Sequence, residues 1–258
     1  MIFLFLLINI NDPKTVDRGI NLIKTSTSQR NKAEIHVLAQ EITTNSYSDL
    51  EKTQKLIHWF DREKENFYNI YYSQKNSIFT SYPLFILKEK PYICIRVYGQ
   101  EHPEWVFTSR CGACEEYSMA FDQLAVASNL TTRRVINYGE DHVWNEVYLD
   151  GKWEIVDVSD VNRNDYDIGF LPHEFRSEYN MSYVYALYPD GTTEDITSRY
   201  RPTRKLTFFI SGPDNKPLEN AEVSIRSHNL EPDADYPVNL PCITNSDGIC
   251  SVTIGVGS

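Results

Sequence analysis

The chain has 258 residues, of which 41 % are hydrophobic, 13 % aromatic and 24 % charged. That is a globular composition with enough apolar material for one large domain or two smaller ones, and it excludes a wholly disordered or collagen-like chain. Acidic residues outnumber basic ones 36 to 25, a formal net charge of −11, which argues against a nucleic-acid partner because such binders carry a basic face. No run approaches the roughly 20 apolar residues of a membrane helix, so no stable span is expected. The most apolar stretch, Met1–Ile10, lacks a basic leading region and a small-residue cleavage site. Three readings are open for it: a membrane or export remnant, a core strand, and a mis-set start.

Residues 11–33 are polar and weakly patterned. Ser48-x-x-Glu51 is a capping box and predicts a helix from near Ser48, with Leu50, Leu56, Ile57 and Phe60 as its apolar stripe. Phe67–Tyr72 and Ile78–Leu87 are aromatic-rich and fit helix or strand alike. Gly112 precedes a second predicted helix, about Ala113–Asn129, with Tyr117, Phe121, Leu124 and Ala125 on one side. Thr132–Tyr138 alternates as a strand. His142–Leu149 and Lys152–Val158 are two more, joined by Asp150-Gly151, the preferred centre of a two-residue type I′ hairpin. Val161–Glu178 is loop-like. Met181–Tyr188 reads as a strand before a turn at Pro189-Asp190-Gly191. Arg201-Pro202 interrupts the pattern within Tyr200–Lys205 and marks a boundary. Beyond it, Leu206–Ile210, Ala221–Arg226 and Cys250–Ile254 are short alternating segments separated by Gly, Asn and Asp turns, an all-β signature. They read as a small module, or as one lacking its last strands.

The hairpin carries a chemical prediction. With Asp150-Gly151 as the turn, Leu149 faces Lys152, Tyr148 faces Trp153 and Trp144 faces Asp157. Alternation then puts His142, Trp144, Glu146 and Tyr148 on one face with Trp153, Ile155 and Asp157. His142 and Asp157 are diagonal neighbours, within reach of an imidazole and a carboxylate. Such a pair orients the ring and selects its tautomer, and it calls for a nucleophile. Cys114, at the start of the second helix, is the candidate: a helix N-terminus stabilises a thiolate and backbone N–H groups there can hold an oxyanion. Each residue alone has a plainer reading, a buried helix cysteine, a satisfied strand histidine and a rim aspartate; together they point to covalent catalysis. Cys111 and Cys114 also form a C-x-x-C, which raises zinc or redox chemistry. Zinc requires further ligands at suitable spacing and no second C-x-x-C exists, so neither a metal nor a cofactor is expected.

Arg110-Cys111-Gly112-Ala113-Cys114-Glu115-Glu116-Tyr117 resembles the nucleophile motif of the transglutaminase-like superfamily, in the form found in peptide:N-glycanases. Asp141-His142-Val143-Trp144-Asn145-Glu146-Val147-Tyr148 resembles that family's histidine strand, and Trp153 through Asp157 its aspartate strand. Leu56-Ile57-His58-Trp59-Phe60 resembles its leading helix. Met181–Ala186, with Asp195-Ile196-Thr197-x-x-Tyr200, resembles the segment after the triad. Glu115 stands where the glycanase motif has glycine, Tyr117 where it has tryptophan, and the family's pair of zinc-binding C-x-x-C motifs is absent. The resemblance covers about residues 35–200. It implies an α+β, transglutaminase-like (papain-like) core with N-terminal helices and an antiparallel sheet. It also implies Cys114 as nucleophile, His142 as general base and acid, Asp157 as orienting carboxylate, Trp144 as a wall of the cleft, and a non-catalytic Cys111. Trp105 and the aromatic stretch at 67–85 are the candidates to line a sugar or peptide cleft, against the plainer reading of such runs as core.

Gly212-x-x-x-Lys216-Pro217-Leu218-Glu219-Asn220-Ala221-Glu222-Val223 and Thr244-Asn245-Ser246-Asp247-Gly248 resemble a carboxypeptidase-regulatory-like or Ig-like β-sandwich. Such modules are common on secreted and surface proteins, so the resemblance favours that location over the cytoplasm. Cys242 and Cys250 flank the Asn245–Gly248 turn on what read as adjacent strands, the arrangement a disulfide needs. The expected organisation is an N-terminal segment 1–34, a catalytic domain 35–204 and a β module 205–258. The expected activity is hydrolysis of the Asn-linked amide of a glycopeptide. A transglutaminase-like protease or acyl transferase acting on peptide is the alternative within the same triad. An adhesion or scaffold protein with an inactive enzyme fold is the alternative outside it.

Overall fold

The computed structural model describes residues 34–60, 68–69, 84–87, 92–95, 107, 111–112, 114–137, 142–159, 181–228, 235–238 and 240–256. The sequence readings for Met1–Ile10 and Val161–Glu178 lie outside these residues. Helices and antiparallel sheet occur together, the α+β class expected from the sequence. The chain divides into two compact units, Met1–Thr131 with Val158–Gly169, and Thr132–Asp157 with Phe170–Ser258.

Among its described residues the first unit has the helices α1 (residues 34–42), α2 (Asp49–Trp59) and α3 (Cys114–Ala127), and Phe107 is helical as well. Ser48 caps α2, its hydroxyl accepting from Glu51 N–H at 3.2 Å, while the Glu51 carboxylate reaches back to Tyr47 N–H at 2.6 Å. The expected stripe is buried at Leu56, Ile57 and Phe60, but Leu50, in the first turn, is 38 % exposed. Helix α3 buries Tyr117, Phe121, Leu124 and Ala125 as expected, and Ser118 and Ala120 with them. The two helices meet where Phe60 lies 6.1 Å from the Tyr117 ring and 6.3 Å from that of Phe121. Asn129, with φ +58°, ends α3. Its N–H donates to Val126 and that of Leu130 to Ala125, the paired bonds of a Schellman cap.

Two small sheets complete the described part of this unit. β1 (Tyr68–Asn69) runs parallel to β4 (Cys111–Gly112), and β2 (Leu84–Leu87) pairs antiparallel with β3 (Tyr92–Ile95). The two aromatic-rich stretches that fit helix or strand alike therefore contain strand. The β1–β4 ladder anchors the backbone that leads into α3.

The second unit is built on a five-stranded antiparallel sheet in the order β7-β6-β5-β8-β9. Its strands are β5 (Thr132–Asn137), β6 (His142–Leu149), β7 (Lys152–Val156), β8 (Val184–Leu187) and β9 (Thr193–Asp195). The β6–β7 register is the one the turn predicts, Leu149 opposite Lys152 and Tyr148 opposite Trp153. Asp150 and Gly151 take φ +49° and +88°, as a type I′ turn requires. Val135, Trp144, Ile155, Met181, Val184, Ala186, Ile196 and Tyr200 form the core on one face, the last two from the segment that enters the short helix α4 (Thr197–Tyr200).

The tail is all-β in its described residues. β10 (Thr203–Phe209) pairs with β13 (Ile249–Gly255), and β11 (Ile225–His228) with β12 (Asp235–Val238), both antiparallel. A disulfide, which the sequence leaves open, joins Cys242 and Cys250, and it is buried with Val252 against Leu206, Phe208 and Val223. No Lys or Arg separates these two cysteines, so the peptide that carries both is expected to be lighter by two hydrogens without reductant than after reduction.

Strand β13 ends against the segment before β8. Gly255 N–H donates to the Ser182 carbonyl at 2.8 Å, and a Cβ on Gly255 would run into the Met181 carbonyl oxygen. Since backbone cannot yield as a flexible side chain does, Gly255→Ala is expected to cost about 1–3 kcal/mol, read by denaturant unfolding.

Candidate active site

Strand β6 opens with His142, and Asp157 directly follows β7. The hairpin register sets them diagonally, and the His142 Nε2 lies 2.7 Å from Asp157 Oδ2. The carboxylate is 1 % exposed and the imidazole 13 %. A carboxylate only accepts hydrogen bonds, so Nε2 carries the proton; in the neutral ring Nδ1 is then the basic nitrogen. A second restraint on the ring is Trp144, whose indole stacks on it at 5.6 Å between centroids and 28° between planes.

The remaining candidates fall as follows. Cys114 is the first residue of α3, half-buried, and retains its thiol. It belongs to the first unit, and His142 and Asp157 to the second. Trp144, expected to wall a cleft, is itself only 1 % exposed, with the imidazole stacked on its ring. Trp105 lies outside the described residues. The backbone of Cys111 is tied up in the β1–β4 ladder.

Beneath the His142–Asp157 pair is a buried ionic network that sequence reasoning does not assign. Glu146, fully buried, accepts at Oε2 from Arg133 (Nε 2.7 Å, Nη2 2.6 Å). At Oε1 it accepts from Arg199 Nε at 2.7 Å and from the Tyr200 hydroxyl at 2.6 Å. Arg133, itself buried, also reaches the half-exposed Glu194 at 2.9 Å and stacks 4.0 Å over the Trp153 ring. Trp144 Nε1 donates to the Tyr200 oxygen at 3.0 Å. Burial, and then the Glu146 charge and hydrogen bond, push the Tyr200 phenol well above its usual range. Desolvation acts to lower Arg199, but the Glu146 hydrogen bond and charge outweigh it and raise the guanidinium. The sequence does hold a signal for part of this network. Arg133 stands directly opposite Glu146 in the β5–β6 ladder, an opposite-charge cross-strand pair that becomes visible once the register is known.

Residues 36–158, just under half of the chain, match the Transglutaminase-like superfamily. The core over this stretch is transglutaminase-like. It contains Cys114, His142 and Asp157, and the match supports cysteine-based hydrolase or transferase chemistry. No curated protein matches the chain.

Among solved structures it is similar to a TGase (16 % identity, TM-score 0.37, 60 % of this chain and 41 % of that one). It is also similar to a candidate cysteine protease from Cytophaga hutchinsonii (15 %, 0.31, 64 % and 48 %). A third is Rad4–Rad23 bound to a 6-4 photoproduct UV lesion (13 %, 0.36, 67 % and 44 %). The chain spans less than half the length of each of these three, and the likenesses are too distant to bear on activity; the transglutaminase-like assignment rests on the family match. Among the described residues no helix is long and apolar enough to cross a membrane.

Proposed function

We propose that the protein is a cysteine-dependent amide hydrolase in which Cys114, His142 and Asp157 form a catalytic triad, and that its substrate is an Asn-glycosylated peptide. The observation that carries this reading is the 2.7 Å bond between His142 Nε2 and the buried Asp157 carboxylate. It commits one ring nitrogen to orientation and leaves proton transfer to Nδ1. Cys114 supplies the nucleophile from the positive end of a helix, where an anion is favoured. Its thiolate attacks the side-chain amide carbonyl, and the imidazolium protonates the departing glycosylamine. The imidazole then activates water to hydrolyse the thioester, leaving aspartate in the peptide, and a second water hydrolyses the released glycosylamine to the reducing sugar and ammonia. The glycanase form of the nucleophile, histidine and aspartate motifs supports the choice of amide. The disulfide supports an oxidising compartment, in keeping with the resemblance of the tail to a surface-type β module.

The test is mass spectrometry of an Asn-glycosylated peptide that also contains Gln and Lys, incubated with wild type and with Cys114→Ala. Asn-to-Asp conversion with release of intact glycan, in wild type alone, is the expected result. Backbone fragments or Gln–Lys cross-links would replace the glycanase reading by a protease or a transferase.

Asp157→Asn is expected to lower kcat by about 10²–10⁴-fold, because an amide can hold the wrong tautomer and cannot stabilise the imidazolium. KM is expected to change little, since Asp157 is buried behind the ring. Steady-state kinetics on the same peptide reads both.

A further inference from the structure

The imidazole is held at its edge by Asp157 and at its face by Trp144, and the indole of Trp144 is tied to the buried hydroxyl of Tyr200. The polarity of this chain is determined by its members. An indole N–H only donates, so the Tyr200 oxygen must accept from it. The single phenol proton is then directed to Glu146 Oε1, 2.6 Å away. Glu146 is held in turn by Arg133 and Arg199. The indole therefore cannot turn without breaking the 3.0 Å bond to Tyr200 in a buried site, where an unmade hydrogen bond is costly. Tyr200 adds a second restraint, its ring meeting the indole edge-on at 5.3 Å.

We propose that Tyr200 is a positioning residue for the proposed catalytic histidine, acting through Trp144 to fix the plane of the His142 ring. This rests on the triad reading above. Asp157 sets where Nε2 sits, but a hydrogen bond at one ring atom does not by itself fix the ring plane; the stacked indole does. The raised phenol keeps its proton through the ordinary pH range, so the donor to Glu146 is never lost.

The experiment pairs kinetics with hydrogen exchange. Tyr200→Phe keeps the ring and deletes the hydroxyl. It is expected to lower kcat about tenfold with KM unchanged, the scale of a small misplacement of a catalytic group. It is also expected to speed solvent exchange of the His142 Nε2 proton, followed by NMR, about tenfold. A purely structural role would lower the unfolding midpoint while leaving both quantities unchanged in the folded protein; that result would overturn the proposal. Should the variant not fold, wild type alone decides. If the two rings are one unit, the Trp144 Nε1 and His142 Nε2 protons exchange through one opening with the same denaturant dependence, and unequal dependences overturn it. The exchange arm needs no substrate, so it stands even if Cys114→Ala retains turnover and the hydrolase reading falls.

Discussion

Replacing Cys114 by alanine is expected to lower turnover at least about 10³-fold, because the proposed triad without its nucleophile would keep only what binding and oxyanion contacts supply. Serine is expected to do little better. Its hydroxyl is a far weaker acid than a thiol, and a histidine matched to a thiolate is a poor base for it. The fold should persist in both variants. Cys114 is the first residue of α3 and half-buried, and the helix is held further along by Tyr117, Phe121 and Leu124. The discriminating comparison is turnover against thermal unfolding in the same samples. Wild-type turnover in Cys114→Ala would remove Cys114 as nucleophile, while an unfolded variant would be uninformative and is answered by the serine form. A thiol-reactive probe adds an independent reading: Cys114 should be labelled faster than a model thiol, and Asp157→Asn should slow that labelling, since a misoriented imidazole no longer serves the sulfur.

The parts of this fold that are legible in the sequence are those set by contacts close in the chain. Asp150-Gly151 admits one tight turn, and that turn fixes every pair along β6 and β7, so the His142–Asp157 contact follows from the turn and the strand alternation alone. The Ser48 cap and the 3.6-residue stripe on α3 are local in the same way. The Asn245–Gly248 turn, with Gly248 at φ +70°, likewise brings Cys242 to Cys250.

What is not legible depends on distant pairings. β5 lies between β6 and β8, yet the connection from β5 to β6 contains no two-residue turn signal and β8 follows a long polar stretch. The alternation in β5 therefore marks a strand without showing which of its residues meets Glu146. Arg199 and Tyr200 sit more than fifty positions beyond Glu146, and no local pattern ties them to it. Trp144 illustrates the same limit. A tryptophan beside the proposed catalytic histidine suggests a cleft wall, while its burial is decided by Tyr200, Met181 and Val184 arriving from elsewhere in the chain.

The largest stability effect is expected at Glu146. Glu146→Gln changes little volume but removes a fully buried anion that two arginines share. Arg133, which is 3 % exposed at its side chain, would then depend on the carboxylate of Glu194, which is 53 % exposed. Arg199 would lose the carboxylate that offsets its desolvation. Breaking a buried pair by deleting one partner costs about 3–5 kcal/mol, because the other charge stays buried without compensation. Glu194→Gln removes an anion from the same arginine but from its solvent side, where such a pair contributes no more than about 1 kcal/mol. Urea unfolding of the two variants is the measurement, and equal losses would show that the network is not organised around Glu146.

Alkaline pH supplies a second reading. A phenol raised in the folded state contributes stability that is present below the unfolded tyrosine range, near about 10, and is lost as pH rises through the folded value. Wild type should therefore lose stability above about pH 10 as unfolded Tyr200 ionises while the folded phenol does not. In Glu146→Gln the carboxylate's share of that upward push is gone and burial alone remains. The alkaline loss should then be smaller in the variant than in wild type.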